Sequence, residues 1–244
     1  MSRPYFEAPN PHEAWAKVAE HVLGANEDVH VVTRIADPTV RDHDFERVYD
    51  EALEEREIAP VRTVAGTIFP IAWGRRIADP AELAAHYRDN YDTLRGYPKN
   101  DKGTYFGRLV ELDDQRGEDQ FTVVARKLRD AVEGQTLTSR YELNVYDFSR
   151  DGIKTRAFPC MSFLSVHLMG GALHMCAHYR NHAAFERLYG NFIGLAAMLD
   201  YLANFCGVDV GELLVVSGHI ERDAPKKLLT DLIAMARESV EVSA

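Results

Sequence analysis

Cysteine is scarce: the 244-residue chain has three, Cys160, Cys176 and Cys206. That number is odd and too small for a disulfide-stapled scaffold, and it points to a reducing cytoplasm. Long apolar runs are also lacking. The longest apolar-looking region, Phe192–Leu202, is interrupted by Gly194 and Asp200, so no membrane span is expected. Met1 to His12 carries Pro4, Glu7, Asn10 and Pro11 with no apolar core, which argues against a signal peptide. Positive charge is in deficit, with 28 Lys+Arg against 38 Asp+Glu and a net charge of −10. General nucleic-acid binding needs a basic surface and is not expected. A small anionic ligand held by a local arginine cluster remains compatible with that balance. With 46% hydrophobic and 27% charged residues, the composition excludes disordered, collagen-like and coiled-coil classes.

Hydrophobic periodicity places helices and strands in a mixed order. Trp15, Val18, Ala19 and Val22 recur at helical spacing within residues 12–23, with Gly24 where the helix would end. Val29–Ile35 reads as a strand, Asp44–Glu57 as a charged helix and Arg62–Trp73 as an extended segment bent at Gly66 and Pro70. Asp79-Pro80 opens a helix to Tyr91, and Gly96–Gly107 reads as a polar loop. Phe121–Val132 is an amphipathic helix and Leu137–Phe148 a strand. Ser162–Leu168 and Ala172–Arg180 form a hairpin across Met169-Gly170-Gly171. Phe185–Phe205 is the most apolar helix and is expected to be central and buried; Leu213–Val216 is a short strand and Pro225–Glu238 a final helix. With no internal repeat and no low-complexity linker, residues 1–244 read as one α+β domain.

Several residues could carry chemistry. Pro159-Cys160 lies just before a strand, where a sulfur can face a pocket and nearby arginines favour a thiolate; an isolated cysteine is also often a small buried hydrophobe. Arg180 ends an apolar strand and suits bidentate binding of phosphate or carboxylate, or is a surface arginine. Asn191 opens the apolar helix, where an amide can pair with a planar heterocycle or serve as an N-cap. His219, in Ser217-Gly218-His219, can donate to a ligand hydroxyl or stand in solvent. His174, Cys176 and His178 alternate on one strand face and are competent zinc ligands, but they lack a clear fourth partner. Arg180 shares their parity, so this face could border an anion pocket.

Taken together, Pro159-Cys160, Arg180, Asn191 and Ser217-Gly218-His219-Ile220 resemble, in order and spacing, the signature of the thymidylate synthase and pyrimidine-nucleotide hydroxymethylase superfamily. Arg62-Thr63-Val64-Ala65-Gly66-Thr67 is similar to that family's phosphate loop, and Ser139-Arg140 to the segment a partner subunit lends to the phosphate site. Gly103–Gly107 is similar to its Gly-Pro-x-Tyr-Gly loop. The resemblance covers about residues 62–67 and 103–223, and makes residues 1–61 a divergent N-terminal extension. It implies a thymidylate-synthase-like mixed β-sheet with a central buried helix and flanking helices, in a homodimer formed through sheet faces. It implies that Cys160 adds to C6 of a pyrimidine nucleotide, and that C5 then takes a methyl or hydroxymethyl group from 5,10-methylenetetrahydrofolate. Arg62, Arg140 and Arg180 would clamp the 5′-phosphate, Asn191 would read the O4/N3 edge of the base, and His219 would hold the sugar hydroxyl.

The departures from that pattern are informative. Tyr179 stands where the family has Gln, Asn181 where it has Ser, Met161 where it has His and Tyr141 where it has a second Arg. Ala183 replaces an aspartate that contacts folate, and Glu221 replaces the tyrosine of His-Ile-Tyr. The segment bearing the family's catalytic glutamate is missing, with Glu82-Leu83 as a candidate remnant. The nucleotide half reads as retained and the folate half as altered. Two alternatives stand beside the transferase: a relative using Cys160 on another substrate or donor in specialised metabolism, and a nucleotide-binding protein without catalysis.

Overall fold

The computed structural model describes residues 4–97, 100, 103–113, 117–134, 141–154 and 158–242. The elements run β1 (Tyr5–Ala8), α1 (Pro11–Ala25), β2 (Glu27–Ile35), α2 (His43–Glu54), α3 (Val61–Ile68), α4 (Ile71–Gly74), α5 (Pro80–Asp89) and α6 (Tyr91–Arg95). They continue with α7 (Tyr105–Leu109), α8 (Gln120–Val132), β3 (Glu142–Asn144), α9 (Phe148–Asp151), β4 (Met161–Met169) and β5 (Ala172–Tyr179). The chain closes with β6 (His182–Ala183), α10 (Leu188–Cys206), β7 (Asp209–Glu221) and α11 (Lys226–Val242). Among the described residues, no helix is long and apolar enough to cross a membrane.

The architecture is α+β around a mixed, open sheet of order β1-β2-β7-β5-β4-β3, with β6 also paired to β7. β7 runs antiparallel to β2 and parallel to β5 and β6. Gly170 and Gly171, at φ +64° and +85°, make the two-residue turn between β4 and β5, with the left-handed backbone such a hairpin needs. Side chains alternate in environment along β5 and β7. Leu173, Met175, Ala177, Tyr179, Leu213, Val215 and Ser217 are buried beneath α1, α8 and α10, which pack on the sheet and on one another. His174, Cys176, His178, Leu214 and Val216 point to the other face and stay half exposed.

α10 is the expected central helix, buried on nearly every side and closed by Gly207 in the left-handed conformation at φ +70°. It is straddled by α3, and here an expectation is corrected. Arg62–Trp73 is helical, not extended. Val61, Val64, Ala65 and Ile68 fall at i, i+3, i+4 and i+7 and form the buried stripe of α3, while Pro60 and Pro70 bracket it. Close approach to α10 is possible because Gly190 and Gly194 face α3 with no side chain. β-branched residues that favour strands in isolation are overridden here by burial.

Smaller differences have similar causes. Only Glu142–Asn144 of the expected Leu137–Phe148 strand is a described strand; residues 135–140 lie outside the described part, and Asp147 caps a helical turn from Phe148. Thr104 caps the short helix α7 inside the expected 96–107 loop, its side chain accepting from Gly107 N. β7 runs 13 residues instead of four, because neighbours on both sides hold it extended.

Candidate active site

A cleft of about 380 Å³ opens where α3, α7, the start of β4, the end of β5 and the first turn of α10 converge. Its walls include Thr67, Tyr105, Cys160, Asn181, His182 and Asn191. Of residues 160, 180, 191 and 219, Cys160 and Asn191 line the cleft, while Arg180 and His219 lie outside its lining and touch it through Cys160 and Asn181.

Cys160 is half-buried, and its carbonyl accepts from Arg180 N at 2.8 Å, which fixes the two residues side by side. The Arg180 guanidinium lies 3.9 Å above the Phe158 ring and donates to Pro159 O at 3.0 Å and Phe158 O at 3.2 Å. Its Nη2 reaches Cys160 Sγ at 3.7 Å, a charge-assisted contact suited to a thiolate. Asn191 sits on the first full turn of α10 and is 3% exposed. Arg187 occupies the N-cap position, so Asn191 is not the cap. Its side-chain amide has no hydrogen-bond partner among the described residues, although it lines the cleft. Facing the cleft, that amide is available to a molecule bound there.

His219 does not line the cleft; it stands behind the wall, in contact with the lining residue Asn181. Its Nδ1 lies 2.5 Å from Asn181 Oδ1 and its Nε2 3.4 Å from Glu27 Oε2. Asn181 also donates to Glu221 Oε1 at 3.4 Å, tying the end of β7 to the cleft wall.

The remaining expected residues are not gathered there. Arg62 is on the exposed side of α3 and lines an adjoining groove of about 1050 Å³ instead of the Cys160 cleft. This follows from α3 being a helix: the residue after Val61 turns away when Val61 faces the core. Glu82 is exposed on the first turn of α5, away from the cleft, so it is not placed as a catalytic carboxylate near Cys160. Arg140 lies outside the described residues. His174, Cys176 and His178 share the half-exposed sheet face, as their parity requires, but only Arg180 of that row reaches the cysteine. Among the described residues no group of three or more His, Cys, Asp or Glu side chains could hold a metal ion.

Several cleft residues were not singled out from the sequence. His182 is 1% exposed, with Nδ1 2.7 Å from Ser217 Oγ and its ring 4.0 Å from that of Tyr179. Burial, with a smaller effect from His178, pushes its pKa down to about 3, so it is neutral. Its Nε2 and the Tyr179 hydroxyl lack partners among the described residues. Tyr105 stands beside Cys160; burial first, and the sulfur second, push its phenol up to about 12. Glu186 and Arg187 bring charges of both signs to the wall. The one available signal for these last two was a charged pair directly preceding the most apolar helix.

No family model matches the chain. Over 106 residues it is 28% identical to a protein of Methanothermobacter thermautotrophicus (strain Delta H) described as "Putative thymidylate synthase". The likeness is distant. It covers 43% of this chain and 46% of that protein, so the chain spans less than half of that protein's length.

Proposed function

We propose that the chain is a thymidylate-synthase-like enzyme that transfers a one-carbon unit to C5 of a pyrimidine nucleotide through a cysteine–C6 adduct. One observation carries the reading: Cys160, with a guanidinium 3.7 Å from its sulfur, lines the same cleft as Asn191, whose amide makes no hydrogen bond to another described side chain or to backbone. The sulfur of Cys160 forms a bond to C6, and the electron pair of the C5–C6 double bond moves onto C5 and the adjoining O4 carbonyl. Asn191 pairs with O4 and N3, stabilising charge on O4 and selecting uracil through its donor and acceptor. Arg180 serves the 5′-phosphate beside the sulfur, and Arg187 adds a second cation to the cleft. After C5 joins the one-carbon unit, loss of the C5 proton and release of the donor's amine leave an exocyclic methylene. Addition of water gives the hydroxymethyl product; addition of a hydride from the donor, which is thereby oxidised, gives the methyl product. Expulsion of the Cys160 thiolate restores the C5–C6 double bond.

The donor is read as 5,10-methylenetetrahydrofolate, which when bound supplies the one-carbon unit. The 1050 Å³ groove beside the cleft shares Thr67, Asn100 and Thr104 with it, and its walls suit a flat ring. Pro70, Ile71 and Trp73 would flank the ring, and Arg62 and Arg75 would meet its carboxylates. Ala183 offers no carboxylate to the ring, so apolar contact would carry most of its binding. The half-exposed sheet face, with Phe163, Leu214 and Val216, suits a second copy of the chain, as a homodimer built through sheet faces requires.

Release of tritium from C5-labelled UMP, dUMP, CMP and dCMP in the presence of methylenetetrahydrofolate tests the reaction. At least one substrate is expected to release label, and Cys160→Ser is expected to abolish release while keeping nucleotide binding. No release from any of the four would defeat the proposal.

A further inference from the structure

We infer that His182 binds the base of the nucleotide, its Nε2–H donating to the C2 carbonyl oxygen; the inference rests on the function proposed above.

Ser217 sets the tautomer of the ring. It is 1% exposed, and the partner of its hydroxyl among the described residues is His182 Nδ1, at 2.7 Å. A buried hydroxyl needs an acceptor for its proton, so Ser217 Oγ–H donates to Nδ1. A neutral imidazole that accepts at Nδ1 carries its own proton on Nε2. Burial holds the ring in that neutral form, with its pKa pushed down to about 3. The ring therefore presents one fixed donor.

That donor has no acceptor within the chain. His182 Nε2 lacks a hydrogen-bond partner among the described residues. The Tyr179 ring lies 4.0 Å away between centroids, but its hydroxyl is also without a partner, so it does not serve Nε2. A buried N–H left unpaired is costly, and a bound molecule that supplies an acceptor removes the cost. His182 lines the Cys160 cleft, whereas Ser217 and Tyr179 do not. The surface His182 gives the cleft is the part of the ring those two leave uncovered, and Nε2 belongs to that part. Nor is the ring free to swing away. The two residues of β6 pair with Ile220 and Glu221 of β7, and Ser217 and Tyr179 hold the imidazole from two sides.

The charge of the donor selects the kind of acceptor. Phosphate is better served by guanidinium groups, whose hydrogen bonds to it are charge-assisted. A neutral, desolvated N–H suits an uncharged carbonyl oxygen. With Asn191 at O4 and N3, the ring oxygen left over is O2, on the other side of N3. A second contact there stops the base from turning about Asn191 and holds C6 against the Cys160 sulfur. O2 is common to uracil and cytosine, so His182 holds either base, and the choice between them stays with Asn191.

Calorimetric titration of the full chain with UMP, dUMP, CMP and dCMP, each beside its 2-thio counterpart, tests the inference, because sulfur accepts more weakly than oxygen. The preferred nucleotide is expected to bind at least about fivefold tighter than its 2-thio form, the size of one hydrogen bond. His182→Gln, which keeps an amide N–H near the place of Nε2, is expected to retain that preference. His182→Leu is expected to lose it, with the two forms within about twofold of each other. Equal binding of both forms by the unaltered chain would overturn the inference while leaving the proposed function standing. A preference that survives in His182→Leu would do the same. Nitrogen-15 NMR of the histidine-labelled chain, with His182→Gln supplying the assignment, gives a second reading. The proton is expected on Nε2, and its signal is expected to move when nucleotide is added; a proton on Nδ1, or a signal indifferent to nucleotide, would overturn the inference. Binding of none of the four nucleotides would overturn the proposed function and this inference with it.

Discussion

Gly190→Ala is the sharpest test of how the cleft is held open. A β-carbon at residue 190 would lie 2.6 Å from Val64 Cβ, 2.8 Å from Val64 Cγ1 and 3.2 Å from the Val61 carbonyl. An ordinary carbon–carbon contact is about 3.5 Å, so α3 would have to retreat by roughly 0.9 Å. Val64 is β-branched and held on a buried helix face, so it cannot swing aside. Overpacking of this severity costs about 3 kcal/mol, against a gain of about 1 kcal/mol from replacing glycine within a helix. The net loss is therefore about 2 kcal/mol, or a Tm lower by roughly 4–8 °C for a chain of this size. Urea and thermal unfolding followed by circular dichroism would measure it. Adding Val64→Ala removes the colliding methyls, so the pair should be coupled by about 1 kcal/mol or more in a double-mutant cycle. Val64 also lines the Cys160 cleft, so nucleotide affinity should fall with stability in the single variant. A Gly190→Ala protein as stable as the parent would refute the reasoning that glycine sets the α3–α10 distance.

Other perturbations isolate single interactions. Asp151 is held down to about 2: its burial alone would raise it, but Arg108, the Asp147 amide and Lys154 prevail. Its contribution is present above its ordinary value of 3.8 and is lost as pH falls from there toward 2. The difference in urea midpoint between the parent and Asp151→Asn should accordingly be larger at pH 5 than at pH 3; a constant gap would contradict this. Trp15 Nε1 donates to Ala184 O at 2.8 Å in the core, so Trp15→Phe leaves that carbonyl unpaired and should cost about 1–3 kcal/mol in thermal unfolding. Gly207→Ala meets no atom within 4 Å but must adopt φ +70°, so a loss of about 1–2 kcal/mol would come from backbone strain alone. An unchanged Tm would exclude that explanation.

Much of the architecture was legible because its signals are local. The Trp15 stripe, the double-glycine turn and the apolar span ending at Gly207 each give the right element. The Cys160, Arg180 and Asn191 neighbourhood was legible through order and spacing, since consecutive strands and the following helix meet at one sheet end. α3 was not legible, because Thr63, Val64, Thr67 and Ile68 favour strands and what makes them helical is a groove on α10 some 130 residues away in sequence. The same error misplaced Arg62. Tyr105 and His182 were not legible for a different reason: their importance comes from what surrounds them, and a buried neutral histidine looks in sequence like any other.

The pairing of β7 has a consequence for how the molecule comes into being. β7 begins at residue 209, whereas its neighbours β2 and β5 are complete by residues 35 and 179. Until it docks, the sheet exists as two separate parts, β1-β2 and β5-β4-β3, each presenting an unpaired edge. Such non-local closure is slow, and open edges in the interval invite association with other chains. Ser217, His219 and Glu221, which hold the cleft-lining His182 and Asn181, arrive on that same strand. The joining of the sheet and the completion of the cleft are then a single event, and a chain caught before it has neither.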